Sequence, residues 1–297
     1  MTSRRDFVLA LGASALAPSI ACAKTRSADA RAAGAAASTV TAKAGARALS
    51  AVGVQLYMLR AQMRENPEAT LARIGELEYG EIEWWGSWGR TPAQLRALLD
   101  QHRLRSPSGH VGLAQLLPDR LPDMLEAAGT MGQQSLIVAS TQPEQRRTTD
   151  DWKRIAGMLN TAGASAASVG VRTGYHNHDY EFQRFGDRTG FEILIAETDA
   201  RYVDIELDCY WAFKAGHDPL ALLRAHPDRI RYLHVKDSAG APTHEQRDVG
   251  DGVMEWKPLL EYALSQKVTS IFVEHDGPKD PWATARNSRA YLASLGY

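Results

Sequence analysis

From Ala51 onward, short β-like apolar runs alternate with longer stretches in which apolar residues recur every three or four positions. Val52–Tyr57 reads as a strand, and Pro67–Tyr79 as a helix with Leu71, Ile74 and Leu77 on one face. Glu81–Trp85 precedes a helix capped by Thr91, with Pro92 in its first position and Leu95, Leu98 and Leu99 as its buried stripe. Arg103–His110 and Pro122–Gly129 form the third pair, Ser135–Ala139 and Asp150–Ser168 the fourth. The fifth strand runs into the polar stretch Gly170–Phe182 and is backed by Phe191–Thr198. Tyr202–Asp208 with Pro219–Ala225, Ile230–Val235 with Glu255–Ser265, and Val268–Glu274 with Ala283–Leu295 complete the series. Eight such units over residues 51–297 predict an α/β fold, a single (β/α)₈ TIM barrel, which typically takes ~250 residues. The competing layout, a doubly wound open sheet, wants a glycine-rich turn after its first strand, and Tyr57-Met-Leu-Arg60 has none.

The residues before the barrel have a different character. Ser3-Arg4-Arg5 stands against an apolar run, Phe7 to Ala23, too short and too alanine-rich to span a membrane. It predicts a twin-arginine export signal over residues 1–23, cleaved after Ala21-Cys22-Ala23, with the export machinery as a partner and a periplasmic destination. Lipid anchoring at Cys22 ranks below simple cleavage, because Ser19 stands where a lipobox has an aliphatic residue. Residues 24–50 lack large apolar side chains and read as a flexible linker. With 34 basic and 35 acidic residues, the formal charge of -1 argues against a nucleic-acid partner. Cys22 and Cys209 are the only cysteines, so the mature chain holds no internal disulfide.

Several predicted strands end in ionisable residues: Glu83, His110, His176, Asp208, His234 and Glu274. In a barrel these tips converge on one mouth, where His176, Asp208, His234 and Glu274 suffice to ligate a divalent ion. Glu274, His178, Lys236 and Glu181 are candidates for moving protons there; His110, Glu83, Trp85, Asn177 and Trp211 are candidates for holding substrate. Among Trp84, Trp85, Trp88 and Trp211, which could wall a sugar ring, at least two are expected in the core.

Ser108-x-His110, Leu207-Asp208, His234-Val-Lys-Asp237, Gly250-Asp-Gly252 with Trp256, and Phe272-Val-Glu274 resemble the sugar-phosphate isomerase/epimerase group, the xylose-isomerase-like barrels. The resemblance implies that Asp208, His234 and Glu274 are three of that group's four metal ligands, with manganese the leading metal and magnesium, cobalt or zinc as alternatives. His176 stands where the epimerases carry a glutamate, and Trp211 where many carry a histidine. Loss of that glutamate leaves Glu274 without its opposed partner and favours a lyase over symmetrical epimerisation, unless Glu181 swings in. Tyr175-His-Asn-His-Asp-x-Glu-Phe182, with the export signal, resembles the exported members that act on 3-keto-glycosides, implying proton abstraction α to a sugar ketone. An epimerase or isomerase, and a non-catalytic sugar-binding barrel, are the alternatives; a homo-oligomer is left open.

Overall fold

The structure, a computed structural model, describes residues 51–297; the predicted export signal and linker lie outside the described residues. Eight parallel strands form the central sheet: β1 Val52–Gln55, β2 Glu81–Glu83, β3 Ser108–Val111, β4 Ser135–Val138, β5 Arg172–His176, β6 Val203–Asp208, β7 Ile230–Val235 and β8 Ser270–Val273. Each pairs with its sequence neighbours, β8 pairs with β1, and isolated parallel bridges from Glu81 to Arg105 and Trp84 to Gly109 join β2 to β3. The sheet thus closes on itself as a TIM barrel. The main helices lie between the strands: α1 Pro67–Glu76, α2 Pro92–Gln101, α3 Leu121–Met131, α4 Thr149–Ala166, α5 Gly190–Glu197, α6 Pro219–Ala225, α7 Trp256–Ser265 and α8 Pro281–Ser294. Among the described residues, no helix is long and apolar enough to cross a membrane.

Strand alternation sorts the side chains into two sets. Val52, Val54, Ile82, Leu136, Val138, Ile205, Leu207, Leu233, Val235, Ile271 and Val273 join the helices in one apolar cluster. Ile137, Tyr232 and Phe272 form a separate small cluster inside the barrel. Glycine makes room for it: a Cβ on Gly53 would lie 2.4 Å from Phe272, and one on Gly174 2.4 Å from Ile137. Around and above that cluster the interior is polar, which the apolar reading of the strands does not reveal.

The strands are shorter than the hydrophobic runs suggest, for local reasons. β1 stops at Gln55 because its side chain accepts the Tyr57 N–H and starts a 3₁₀ turn, Leu56–Leu59. β3 starts only after Pro107, which has no N–H to give. A short helix, Cys209–Lys214, not anticipated from the sequence, begins directly at the end of β6. After β7, Asp237 organises the long loop: its carboxylate accepts the N–H groups of Ser238, Gly250 and Met254 and the Trp256 indole. The Gly250-Asp-Gly252 turn therefore serves loop folding.

Candidate metal centre at the barrel mouth

Asp208 ends β6, His234 stands one residue before the end of β7 and Glu274 directly follows β8, and donor atoms from all three lie within 4.8 Å of one another. All three residues are buried. Asp208 divides its labour: Oδ1 accepts the Trp211 N–H at 2.9 Å, capping the short helix, while Oδ2 accepts no hydrogen bond. His234 Nδ1 lies 3.0 Å from Glu274 Oε2 and 3.9 Å from Asp208 Oδ2. His176, from β5, places Nε2 3.8 Å from Asp208 Oδ2 and stands just outside the compact triad.

The cation now between the carboxylates is Lys236. Its Nζ is 2.8 Å from Glu274 Oε2, 3.2 Å from Asp208 Oδ2 and 3.0 Å from Asp276 Oδ2, although the residue is fully buried. Burial opposes its charge, but the three carboxylates outweigh burial and hold its pKa well above the usual lysine value. Burial raises Glu274 as well, yet Lys236 and His234 outweigh it and keep that carboxyl well below its usual range. Asp208 is pushed up by burial to about 6.

Beneath this layer lies a second one that sequence reading did not assemble. Glu206, two residues before Asp208 on β6, turns to the same inner face and is fully buried. Its Oε2 is 2.7 Å from His110 Nε2, 3.0 Å from His176 Nδ1 and 3.2 Å from His234 Nε2; its Oε1 has no partner. Glu83 Oε2 is 2.7 Å from His234 Nε2 and accepts from Gln55 Nε2 at 2.7 Å, while Glu83 Oε1 accepts the Ser108 hydroxyl.

This layer fixes the proton positions. Gln55 Oε1 accepts the Tyr57 N–H, so the NH₂ end of the amide faces both Glu83 and His110 Nδ1, 3.2 Å away. His110 Nε2 faces Glu83 and Glu206, which outweigh burial and raise the ring's pKa to about 10, so Nε2 carries a proton against the carboxylates. His176 and His234 likewise give their lower N–H groups to Glu206 and Glu83. Their upper nitrogens, Nε2 of His176 and Nδ1 of His234, face Asp208 and Glu274. A lone pair 3.0 Å from a carboxylate is repulsive unless a cation lies between them. In His234 a proton serves, since Glu206 and Glu274 outweigh burial and hold its pKa well above normal. A divalent ion would serve equally, and rings braced from below by carboxylates are the usual arrangement of metal-ligating histidines. Two imidazoles and two carboxylates, one of whose buried oxygens meets only the Lys236 ammonium, fit a divalent metal.

The structure separates the other predicted residues. Lys236 joins the centre. His178 stands at its rim, half-buried, edge-on to His176 at 5.0 Å and beside Trp211 at 5.4 Å. Burial and then Lys236 push His178 down to about 4, so it is neutral at neutral pH; its Nδ1 shares a hydrogen bond with the Tyr180 hydroxyl at 3.3 Å. Trp211 presents a buried indole N–H with no partner. Trp85 packs edge-on to Tyr57 and Trp88, whereas Trp84 belongs to the core.

Four further residues named from the sequence are held by other parts of the fold. Glu83 and His110 belong to the lower layer, where Gln55, Ser108 and Glu206 occupy them. Asn177 is fully buried; its Oδ1 accepts the Asp208 N–H and its Nδ2 donates to the Asp208 carbonyl, so it ties β5 to β6. Glu181 is also fully buried, accepting the Tyr175 hydroxyl on Oε1 and the His178 N–H on Oε2, each at 2.7 Å. Tyr175 packs against Trp152 of α4, so Glu181 is anchored in the strand-helix layer and is not poised to replace a missing ligand. Asp276, which no strand-tip rule selects, completes the grip on Lys236.

Residues 69–295 match the xylose isomerase-like TIM barrel family. The chain belongs to that family. It is 27% identical over 269 residues to inosose dehydratase of Geobacillus kaustophilus strain HTA426, covering 77% of this chain and 87% of that protein. Among solved structures, a sugar phosphate isomerase/epimerase from Parabacteroides distasonis ATCC 8503 superposes with a TM-score of 0.69 at 23% identity, over 87% of this chain and 97% of the other. The 3-keto-D-glucoside 4-epimerase of E. coli superposes with a TM-score of 0.62 at 18% identity, over 82% and 98%. These likenesses carry the fold; with the family match and the dehydratase relative they make the chain an enzyme of the isomerase, epimerase and lyase kind.

Proposed function

We propose that the protein is a divalent-metal-dependent sugar lyase or isomerase that removes the proton α to a sugar ketone, with 3-keto-glycosides or related keto sugars as substrates. The observation that carries this reading is the convergence of Asp208, His234, Glu274 and His176 on one mouth, with two imidazoles braced from below. These four side chains would hold the ion, with manganese our first assignment and magnesium, cobalt or zinc also suited to the donors. When bound, the ion supplies Lewis acidity toward the substrate's carbonyl oxygen.

The remaining work falls to protein side chains. Glu274, a carboxylate at neutral pH, takes the α proton. Lys236 keeps its proton and is the donor for a departing oxygen. The inosose dehydratase relative favours elimination. Epimerisation would need an acid on the opposite face of the sugar, and a neutral His178 has no imidazolium proton to give there. The test is metal-loaded protein with a 3-keto-glucoside in deuterated water, followed by NMR. Aglycone release with exchange at C2 is the expected result; the C2 epimer with its glycosidic bond intact would establish the epimerase, and unchanged spectra would reduce the protein to a binding barrel.

We also assign the chain to the periplasm by twin-arginine export, on Ser3-Arg4-Arg5 and the apolar run after it. Replacing Arg4 and Arg5 by lysine should retain the protein in the cytoplasm; undiminished periplasmic protein would refute the assignment.

A further inference from the structure

The two imidazoles assigned to the metal share one buried carboxylate. Glu206 Oε2 lies 3.0 Å from His176 Nδ1 and 3.2 Å from His234 Nε2, and is itself held by His110 Nε2 at 2.7 Å. His110 is in turn set by Gln55, whose amide is locked by the Tyr57 backbone. The His176 and His234 ring centroids are 4.5 Å apart at 63°, with Glu206 beneath His176 and Glu83 Oε2, 2.7 Å from His234 Nε2, sharing the hold on His234. We propose that Glu206 is a positioning residue of the metal centre, orienting His176 directly and flanking His234 beside Glu83, with His110 fixing Glu206 in turn.

This inference rests on the metal reading above and makes a further claim. The alternative use of the same side chains is direct ligation: His110, His176, Glu206 and His234 also present donor atoms within 4.8 Å of one another. The two uses exclude each other, because a neutral imidazole has one lone pair. With the ion at Asp208 and Glu274, the lower nitrogens carry protons and Glu206 is an acceptor. With the ion in the lower layer, those protons are gone and Glu206 is a ligand. The unpartnered Oε1 of Glu206 gives the carboxylate a free oxygen in either case. Lys236 favours the upper position: its ammonium, 3.2 Å from Asp208 Oδ2 and 2.8 Å from Glu274 Oε2, marks the place between those carboxylates as one that a cation fills.

Mature protein would be stripped of metal, titrated with Co²⁺ against a chromophoric chelator, and followed by its visible d–d spectrum. Glu206→Gln should weaken Co²⁺ binding about 10- to 100-fold, the range for loss of a partner that orients a ligand. It should keep one ion per chain and the thermal midpoint of the metal-free protein, with altered d–d bands. His110→Gln should move affinity in the same direction by less, whereas Asp208→Ala and Glu274→Ala should abolish binding. Parental affinity and spectrum in Glu206→Gln, with binding lost in Asp208→Ala, would overturn the positioning role while leaving the centre in place. Full binding in Asp208→Ala and Glu274→Ala, with loss in Glu206→Gln and His110→Gln, would move the ion to the lower layer and overturn both readings. If Glu206→Gln fails to fold, Gln55→Glu, which sets an acceptor against His110 Nδ1, must alter the d–d bands for the inference to stand.

Discussion

Glu181 lends itself to a quantitative test because its environment and the proposed chemistry are separable. Burial lifts its pKa from 4.5 to about 8, against the hydrogen bonds from Tyr175 and the His178 N–H. An acid whose pKa rises on folding binds its proton more tightly in the folded chain. Between pH 4.5 and 8 the folded state therefore carries more protons than the unfolded one, and stability falls as pH rises. The contribution is fully present below the lower value and gone above the upper one. At ~1.4 kcal/mol per pH unit, the loss between pH 5 and 8 is about 3 kcal/mol. Glu181→Gln removes the titration and keeps the contacts: its carbonyl can accept the His178 N–H, and its NH₂ can donate to Tyr175, whose hydroxyl still has Thr141 Oγ1 at 3.3 Å. Urea unfolding of both proteins from pH 5 to 9 should show the parent losing stability relative to the variant across this window. The parent-minus-variant difference should change by at least ~1 kcal/mol even after local relaxation. A difference independent of pH would refute the argument, and turnover abolished in Glu181→Gln with stability intact would return Glu181 to the chemistry.

Other variants probe the rest of the site. Asn177→Leu leaves the Asp208 N–H and carbonyl without their side-chain partner, and should cost roughly 1–3 kcal/mol per stranded group in urea unfolding while weakening metal binding. Lys236→Met should bind metal at least as tightly as the parent, because the competing ammonium is gone, and lose turnover; weaker binding would contradict its placement between the carboxylates. His176→Glu should shift product analysis from cleaved aglycone toward epimerised, uncleaved sugar; unchanged products would separate the outcome from the identity of that ligand. Gly53→Ala sets a methyl 2.4 Å from the Phe272 ring, and a thermal melt should show ~1–3 kcal/mol of lost stability.

The barrel was legible because each strand-helix unit writes its own period, and β7 and α6 match the structure to the residue. The mouth was legible at Asp208, His234 and Glu274 because strand ends of a parallel barrel meet at one face. Depth was the harder quantity. Glu206 was within reach, since counting two back from Asp208 along Val203–Asp208 keeps the inner face, but a rule that looks only at strand tips passes over it. Glu83 and His110 were found and placed one layer too high. Asn177 and Glu181 sit among the histidines in sequence, yet Asn177 turns to the β6 backbone and the 3₁₀ turn Tyr180–Phe182 carries Glu181 to Tyr175. Chain proximity to reactive side chains says nothing about which way a side chain leaves the backbone.

Strand β6 carries acids at every second position, and each serves a different depth: Asp204 receives Arg172 from β5, Glu206 meets the imidazoles, and Asp208 reaches the mouth. Val203, Ile205 and Leu207 face the helices between them. A threading error of one residue would present those three carboxylates to an apolar layer and drive three aliphatic side chains in among Arg172 and the histidines. Each unpaired charge so buried carries a penalty of several kcal/mol, so no such misthreaded barrel could persist. The acids that equip this strand for chemistry also proofread its assembly.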